Sequence, residues 1–236
     1  MEIDFLKRIV KEAEKISAKH FDVYQKDEKG DLVTNLDKEI EQYFIDEIHK
    51  NYPGFDIVSE EFNPDGTVTD NCFIIDPIDG TINFANDMPM WCIQIACRKD
   101  GETIASVISL PKLGEFYYAD QTGAYLNDQK ITVKEVPIKN TLYAIVGHDN
   151  ISANERMRAY SRNNRNVGSI GVAYAFLASS KFHGVNFRVE NPWDYEPGMF
   201  LCKMAGAVTK NENGFHSAAM NQEFLDLLEK ETAFTE

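Results

Sequence analysis

The chain has 236 residues, of which 43% are hydrophobic, enough for one sizeable core and at most two modest subdomains. Its 24 basic and 38 acidic residues give a formal net charge of -14, which argues against nucleic acid as a partner because phosphate backbones would be repelled. The sequence shows no basic start with an apolar signal core and no run of about 18 apolar residues, so we expect a cytoplasmic protein with no membrane partner.

Two amphipathic helices are predicted near the start of the chain. Apolar residues recur every three to four positions over residues 5–18, which is typical of a helix that buries one face. A polar segment with a glycine follows at residues 25–30 and is expected to be a mobile connector. Thr34 or Asn35 can cap the second helix, which is expected to stop before residue 52.

Short apolar runs separated by turns predict a mixed sheet in the middle of the chain. The predicted strands cover residues 55–59, 72–76, 91–98, 103–110 and 116–119. The four cysteines show no close pairing, and most lie in such apolar runs. We therefore expect buried free thiols rather than a zinc site or a disulfide framework.

A second layer of helices and strands is predicted in the rest of the chain. It comprises strands at residues 142–147 and 207–209 and helices at residues 153–161, 170–180, 200–205 and 222–229. The sequence contains no internal repeat, low-complexity tract or long linker. We therefore expect a single domain over residues 1–236, with an α+β half at 1–138 that carries the metal motifs and an α/β half at 139–236.

The most specific chemical motif lies at the end of a predicted strand. Residues 73–84 have the sequence Phe-Ile-Ile-Asp-Pro-Ile-Asp-Gly-Thr-Ile-Asn-Phe. The strand delivers Asp76 at its carboxyl end, where ligands of open α/β sheets gather. The proline bend can bring Asp79 and the carbonyl group of Ile78 to the same point. Three such oxygens suit a hard cation such as Mg²⁺.

The same motif continues into a possible anion site and has a simpler alternative. Gly80 and Thr81 can supply backbone N–H groups that hold an anion. For an isolated Asp-Pro pair, an ordinary strand followed by an Asx turn explains the sequence equally well. The whole run, however, resembles the signature of the inositol monophosphatase family, Asp-Pro-Ile-Asp-Gly-Thr-x-Asn-Phe.

Other parts of the chain resemble further elements of that family in the expected order. Residues 31–37 are similar to its Asp-x-Val-Thr-x-x-Asp element, Ser59-Glu60-Glu61 to its Gly-Glu-Glu, and Asn191-Pro192-Trp193-Asp194 with the Met204-Ala205-Gly206-Ala207 segment to its late Trp-Asp element. Considered alone, residues 31–37 could be a capped helix start, Glu60-Glu61 a solvated pair, and Trp193-Asp194 a core aromatic residue beside a helix cap. Together they imply the α+β, layered αβαβα fold of inositol monophosphatase/fructose bisphosphatase-like sugar phosphatases.

The resemblance implies a metal centre built from carboxylates. By motif match, Glu61, Asp76 and the carbonyl group of Ile78 would hold one Mg²⁺ ion, and Asp76, Asp79 and Asp194 a second. About two or three Mg²⁺ ions per active site are implied, which clamp the oxygens of an in-line displacement and lower the pKa of a bound water.

The resemblance also implies roles around the attacking water. Glu61 would position it, Thr81 would hydrogen-bond it, and Asp37 would orient Thr81. The amides of Gly80 and Thr81 would stabilise the phosphoryl oxygens. The predicted connector contains Lys26 and Lys29. One of these lysines could help to retain metal or phosphate, or the loop could simply be solvated.

The substrate side of the site is less specific. Gly168 and Ser169 match a family region that lines the substrate, although Ser169 is equally well placed to cap a helix. Inositol-specific relatives carry an acidic residue a few positions before the Trp. In this chain the corresponding position is Phe187, which is followed by Arg188. Arg188 could bind a second anionic group of the substrate, or it could pair with Glu190.

The resemblance implies a Mg²⁺-dependent phosphomonoesterase that hydrolyses a small soluble phosphate ester: an inositol phosphate, a sugar bisphosphate or a phosphorylated nucleotide. A non-catalytic or weakly catalytic binding or regulatory protein on the same scaffold is the alternative. The retained, crowded carboxylates argue against that alternative because like charges repel one another without a cation. The family also implies a homodimer, with lithium inhibition at the second metal position.

Overall fold

The computed structural model describes residues 2–26, 32–146, 150–212 and 214–233. The helices are α1 (Glu2–Ser17), α2 (Asn35–Asn51), α3 (Thr81–Ala85), α4 (Asn150–Met157), α5 (Ile170–Ala178), α6 (Pro192–Met204) and α7 (Gln222–Thr232). Short 3₁₀ turns lie at Pro111–Leu113 and Ile138–Asn140. The described helices do not include one that is long and apolar enough to cross a membrane.

The strands form three sheets in the described part of the chain. They are β1 (Val23–Gln25), β2 (Leu32–Thr34), β3 (Asp56–Ser59), β4 (Cys72–Asp79), β5 (Cys92–Lys99), β6 (Glu102–Leu110), β7 (Glu115–Asp120), β8 (Gly123–Leu126), β9 (Gln129–Ile131), β10 (Tyr143–Val146), β11 (Gly184–Arg188), β12 (Val208–Glu212) and β13 (Phe215–Ala219).

The large sheet has the order β3-β4-β5-β6-β7-β8-β9, and β3 and β4 are its parallel pair. A second sheet has the order β10-β11-β13-β12, with β10 and β11 parallel. The strands β1 and β2 form a small antiparallel ribbon. Parallel strand ends therefore occur in both larger sheets, and such ends are where α/β proteins commonly bind ligands.

The helices and the two larger sheets stack as five layers. Helices α1 and α2 pack on one face of the large sheet and enclose the first apolar core. Helices α5 and α6 fill the space between the two sheets, where a second core lies. Helices α4 and α7 cover the outer face of the second sheet. Because both faces of β4 and β5 are covered, these strands are buried over most of their length.

Most of the predicted elements are confirmed, and the differences are local. Thr34 rather than Asn35 caps α2, since its hydroxyl oxygen accepts from the backbone N–H of Asp37 while the Asp37 carboxylate accepts from Thr34 N. The four cysteines are free and buried, as expected. The helix predicted at residues 153–161 instead spans Asn150–Met157. Most of the predicted connector, residues 27–30, lies outside the described residues.

Candidate active site

An acidic crevice of about 560 Å³ lies at the carboxyl end of β4. Its wall is formed by the segment after β3, the turn into α3 and the first turn of α6. The charged side chains on this wall include those of Lys26, Glu60 and Asp194. Gly80, Thr81 and Gly168 also line it, so several of the residues predicted from sequence are brought together here.

A bulge in β4 places two aspartates on one face of the strand. Asp76 pairs with Gln94 on β5, and Asp79 pairs with Cys92, so three steps along β4 match two steps along β5. Because side chains alternate along a strand, the extra residue turns Asp79 to the same side as Asp76. The predicted bend at Pro77 therefore brings the carboxylates of Asp76 and Asp79 to the same side of the strand.

Asp76 carries a buried oxygen without a partner. Its side chain is 2% exposed; Oδ2 accepts from Gln94 Nε2 at 3.3 Å, while Oδ1 has no hydrogen-bond partner. Burial raises the pKa of Asp76 well above its ordinary value, and the negative charges of Glu60, Asp79 and Asp194 raise it further. A buried, unpaired carboxylate oxygen is costly unless a cation compensates it.

Asp79 lies at the N-terminal end of α5. Its Oδ2 atom accepts hydrogen bonds from Ser169 Oγ and from the backbone N–H of Gly171, both at 2.6 Å. Burial raises the pKa of Asp79, and these hydrogen bonds offset part of that rise. Positively polarised N–H groups at a helix start stabilise a carboxylate in this position, so Asp79 is held firmly with respect to the second sheet.

Glu60 is the glutamate that the sequence interpretation did not select. Glu60 lines the crevice, and its charge raises the pKa values of both Asp76 and Asp194, after burial as the main cause. Glu61, which the motif match placed on a metal, raises the pKa values of Glu60 and Asp37, in both cases after burial as the main cause. Adjacent residues project in different directions, and a Glu-Glu pair in a sequence does not indicate which one enters the site.

Lys26 lies between these two glutamates. Its Nζ atom is 2.8 Å from an oxygen of Glu60 and 2.6 Å from an oxygen of Glu61. Burial disfavours the charged ammonium group, but the two carboxylates outweigh burial and raise the pKa of Lys26. Lys26 therefore supplies a positive charge within the acidic crevice. The other predicted lysine, Lys29, lies outside the described residues.

Glu41, a further residue that sequence reasoning missed, fixes the segment that carries Glu60. It lies on α2 and is fully buried. Its Oε1 atom accepts from Ser59 Oγ at 2.6 Å and from Phe62 N at 2.7 Å, and its Oε2 atom accepts from Glu61 N at 2.8 Å. Burial raises the pKa of Glu41, and these hydrogen bonds partly offset the rise. The Glu41 carboxylate therefore clamps the turn after β3.

Thr81 and Asp37 meet at the start of α3, as the motif match predicted. Thr81 Oγ1 lies 3.0 Å from the carbonyl oxygen of Ile78 and 3.5 Å from Asp37 Oδ1, within donating distance of both. Burial raises the pKa of Asp37 to about 7, against the opposing hydrogen bonds from Thr34. Gly80 has φ of 89°, and a Cβ atom there would lie 3.1 Å from the carbonyl oxygen of Gly168.

Asp194 lies in the first turn of α6. Burial raises the pKa of Asp194 well above its ordinary value, and the charges of Asp79 and Glu60 add to this effect. The opposing influences are a hydrogen bond from Asn191 and the positive charge of Lys26. Asp194 therefore belongs to the same electrostatic cluster as Asp76 and Asp79, although it comes from the distant late motif.

Ser169 has the capping role that the sequence offered, and it also contacts Asp79. It caps α5, because its Oγ atom accepts from Val172 N at 3.1 Å, and it donates to Asp79. Arg188, in contrast, is not brought to the crevice. It ends β11 on the opposite side of the strand from the buried Phe187, and its guanidinium group lies over the Phe215 ring at 5.5 Å.

The residues present fit a hard divalent cation. In the described part of the chain, no group of three or more His, Cys, Asp or Glu side chains is arranged so that it could hold a metal ion. Mg²⁺ does not need such a group, since it binds through one or two carboxylates and keeps several waters. The unpaired Asp76 Oδ1 atom supplies a free carboxylate oxygen, and three more carboxylates interact with Asp76 electrostatically. Oxygen donors of this kind are what such a cation prefers.

The fold is that of inositol monophosphatase/fructose bisphosphatase-like sugar phosphatases. An IMPase of Thermotoga maritima superposes with a TM-score of 0.83 and 27% identity, covering 98% of this chain and 96% of that chain. A sequence model of the inositol monophosphatase family matches residues 3–226. The chain therefore belongs to the inositol monophosphatase family.

Two curated relatives show the range of roles within this similarity. The fructose-1,6-bisphosphatase/inositol-1-monophosphatase of Thermotoga maritima is 33% identical over 205 residues, which are 83% of this chain and 77% of that protein. Nus factor SuhB of Escherichia coli strain K12 is 31% identical over 229 residues, which are 89% of this chain and 85% of that protein. One name describes a phosphatase and the other a Nus factor.

Proposed function

We propose that the protein is a cytoplasmic, Mg²⁺-dependent phosphomonoesterase that hydrolyses a small soluble phosphate ester. The observation that carries the proposal is the unpaired, buried Oδ1 atom of Asp76, which lies within a cluster of three further acidic side chains. A protein without a cation here would bear the cost of that cluster for no benefit. The family and its phosphatase relative support the same reading.

In this proposal Asp76, Asp79, Asp194 and Glu60 hold the Mg²⁺ ions, with the carbonyl oxygen of Ile78. Glu60 takes the place that the sequence interpretation gave to Glu61, because Glu60 is the one that interacts with Asp76 and Asp194. When bound, about two or three such ions lower the pKa of a water molecule and neutralise charge on the phosphoryl group. The ligands come from the β3 turn, β4 and α6, so the fold itself assembles the centre.

The remaining residues orient the water and the phosphate group. The Thr81 hydroxyl group, held by Asp37, is placed to hydrogen-bond the attacking water. The backbone N–H groups of Gly80 and Thr81 stabilise the phosphoryl oxygens. Water adds to phosphorus, the bond between phosphorus and the alcohol oxygen breaks, and the alcohol leaves with a proton while inorganic phosphate is released.

The test is phosphate release from a panel of esters with and without Mg²⁺. The panel contains an inositol phosphate, a sugar bisphosphate, a phosphorylated nucleotide and simple monoesters. We expect hydrolysis of at least one ester, its loss with a chelator and its recovery when Mg²⁺ is restored. Undiminished turnover in EDTA, or no turnover of any ester at saturating Mg²⁺, would sink the proposal.

A regulatory or binding protein is the second candidate, and the similarity to a Nus factor favours it. The two candidates differ in what they need from the carboxylates. A binding protein that has left catalysis should keep its partner interaction when Asp79 is replaced by Asn, whereas the phosphomonoesterase should lose turnover. We favour the enzyme because the acidic cluster is buried rather than presented on the surface.

Two further properties belong to this proposal. A homodimer is expected from the family, and light scattering at micromolar concentration would report either twice the chain mass or the single-chain value of 26.8 kDa. A monomer would remove the dimer from the proposal without affecting the chemistry.

Lithium is expected to inhibit phosphate release at the second metal position, and insensitivity of turnover to millimolar lithium would remove that expectation.

A further inference from the structure

A second cavity, of about 300 Å³, adjoins the acidic crevice. Gly168 lines both spaces, and Asp79 lies on the wall of the second one. The cavity lies between the carboxyl ends of β10 and β11 and the first turn of α5. Ligands commonly bind beyond such parallel strand ends. An ester with its phosphate group in the crevice therefore has its alcohol portion next to this cavity.

The walls of the second cavity are mainly apolar. Val146 and Phe187 are neighbours across β10 and β11, and Ala144 lies on the same face of β10. Ile170 and Ala173 of α5 complete the wall. An apolar wall offers no hydrogen bonds to ring hydroxyl groups, so a polyol would give up its hydrogen bonds to water without replacement. A flat apolar group would lose nothing and would bury its own surface.

Two polar side-chain atoms at the cavity already make hydrogen bonds within the protein. Ser169 Oγ donates to Asp79 and accepts from Val172 N. Asn166 Oδ1 accepts from the backbone N–H of Gly168 at 3.0 Å. These bonds hold the turn that joins the two cavities, and breaking them to bind a hydroxyl group would loosen Asp79. The cavity therefore selects by apolar contact rather than by hydrogen bonding.

The charges around the two cavities also disfavour a second phosphate group. Among the described residues that line them, Lys26 is the one basic side chain, and it is paired with Glu60 and Glu61. Arg188, on the other side of β11, is not part of either wall. A second anionic group in the second cavity would find no basic side chain among the described residues that line it.

We infer that the preferred substrate is a phosphate monoester whose alcohol carries an apolar or aromatic ring, and that this ring enters the cavity between β10, β11 and α5. The inference rests on the proposed phosphomonoesterase activity and narrows its substrate class. A planar nucleobase and a simple aromatic alcohol share the required chemistry. The cavity lacks partners for ring hydroxyl groups and for a second phosphate group.

The test compares kcat/KM at saturating Mg²⁺ for benzyl phosphate, glycerol 2-phosphate, an inositol monophosphate and fructose 1,6-bisphosphate. Benzyl alcohol and the polyols are all unactivated alcohols, so leaving-group chemistry does not decide the order. We expect benzyl phosphate to exceed each of the others by at least about tenfold, the discrimination that one well-buried apolar group commonly provides. A nucleoside monophosphate distinguishes a nucleobase from a simple ring.

A matched pair of variants locates the effect. Val146→Thr adds a hydroxyl group to the cavity wall with little change in shape, while Val68→Thr makes the same change at a site that is 38% exposed. We expect Val146→Thr to lower the ratio of kcat/KM for benzyl phosphate to that for glycerol 2-phosphate by about fivefold. Val68→Thr should leave the ratio unchanged. Thermal unfolding of both variants checks that they are folded.

The outcomes separate this inference from the proposed function. Hydrolysis with equal kcat/KM values, or with preference for a polyol or a bisphosphate, would overturn the inference and leave the phosphomonoesterase intact. An equal change of the ratio in both valine variants would also overturn it. Failure to hydrolyse any ester would overturn the proposed function, and the inference with it.

Discussion

The two cavities of this protein are built in opposite ways. The acidic crevice gathers buried carboxylates whose pKa values are raised by burial and by one another, as at Asp76 and Asp194. The cavity beside it has apolar walls from β10, β11 and α5. Asp79 stands between the two, tied to α5 by Ser169 and Gly171. If both proposals hold, chemistry and substrate choice lie mainly on different sheets and can be altered separately.

Removing a carboxylate from the crevice should have the largest effect. We expect Asp76→Asn to lower kcat by at least about a hundredfold, because ligand loss should exceed the effects known for outer-shell partners of metal sites. The same change should leave the metal-free protein at least as stable as the wild type, since a buried charge without a cation is removed. Activity and thermal unfolding in EDTA measure the two effects.

Asp87→Asn is the control for this prediction. Asp87 is an exposed aspartate paired with Lys112, and its side chain is 84% exposed. This variant should match the wild type in both measurements. If Asp76→Asn retained full activity, the crevice would not be the catalytic site.

The choice between Glu60 and Glu61 gives the next largest expected effect. We expect Glu60→Gln to weaken Mg²⁺ binding by more than about tenfold and Glu61→Gln to weaken it less, because Glu60 interacts with Asp76 and Asp194. Calorimetric titration of the metal-free proteins measures both affinities. A larger loss in Glu61→Gln would restore the assignment made from the sequence motif.

Glu41 tests how far the crevice depends on the turn beneath it. Glu41→Gln keeps the size of the side chain but places an N–H group against one of the three donors, at a cost of about 2 kcal/mol of unfolding free energy. Glu39→Gln, two residues away on the same helix and exposed, should change the unfolding free energy by less than about 0.5 kcal/mol. Urea unfolding compares the two, and equal values would contradict the clamp.

The pH dependence of the metal-free protein tests the buried carboxylate of Asp37. Burial raises the pKa of Asp37 from 3.8 to about 7, so the folded state binds a proton that the unfolded state releases between these values. Stability contributed by Asp37 is therefore lost as the pH rises through this window, and below pH 3.8 both states are protonated.

Asp37→Asn should flatten this loss of stability, while Asp46→Asn, at an exposed position of the same helix, should not. The measurement is urea unfolding in EDTA from about pH 5 to pH 8, and the contributions of the other buried carboxylates are common to both variants. Parallel profiles for the wild type and Asp37→Asn would show that Asp37 does not titrate as the structure indicates.

The sequence predicted the strands of the large sheet better than those of the second sheet. β4 and β5 are covered on both faces, are buried over most of their length, and each contain a short apolar run. β11 and β13 escaped prediction because Gly184–Arg188 contains Gly and Asn and Phe215–Ala219 ends in small residues, so neither shows a β-branched run. Their strand structure depends on pairing with each other.

The same contrast holds for the site residues. Asp76, Asp79 and Asp194 were predicted because they lie in specific motifs, and the structure brings them together. Glu41 was missed because its partners are backbone N–H groups 20 and 21 residues away, which no local pattern reveals. For Arg188 the sequence left two roles open, because the alternation of β11, a strand that was not predicted, decides on which side Arg188 lies.

A Mg²⁺ titration followed by thermal unfolding tests the central claim most directly. The claim is that the unpaired Oδ1 atom of Asp76 is a cation site. We predict a saturable rise of Tm with Mg²⁺ in the wild-type protein, because a ligand that binds the folded state stabilises it, and no comparable rise in Asp76→Asn. An unchanged Tm in the wild type, or an equal rise in both proteins, would contradict the claim.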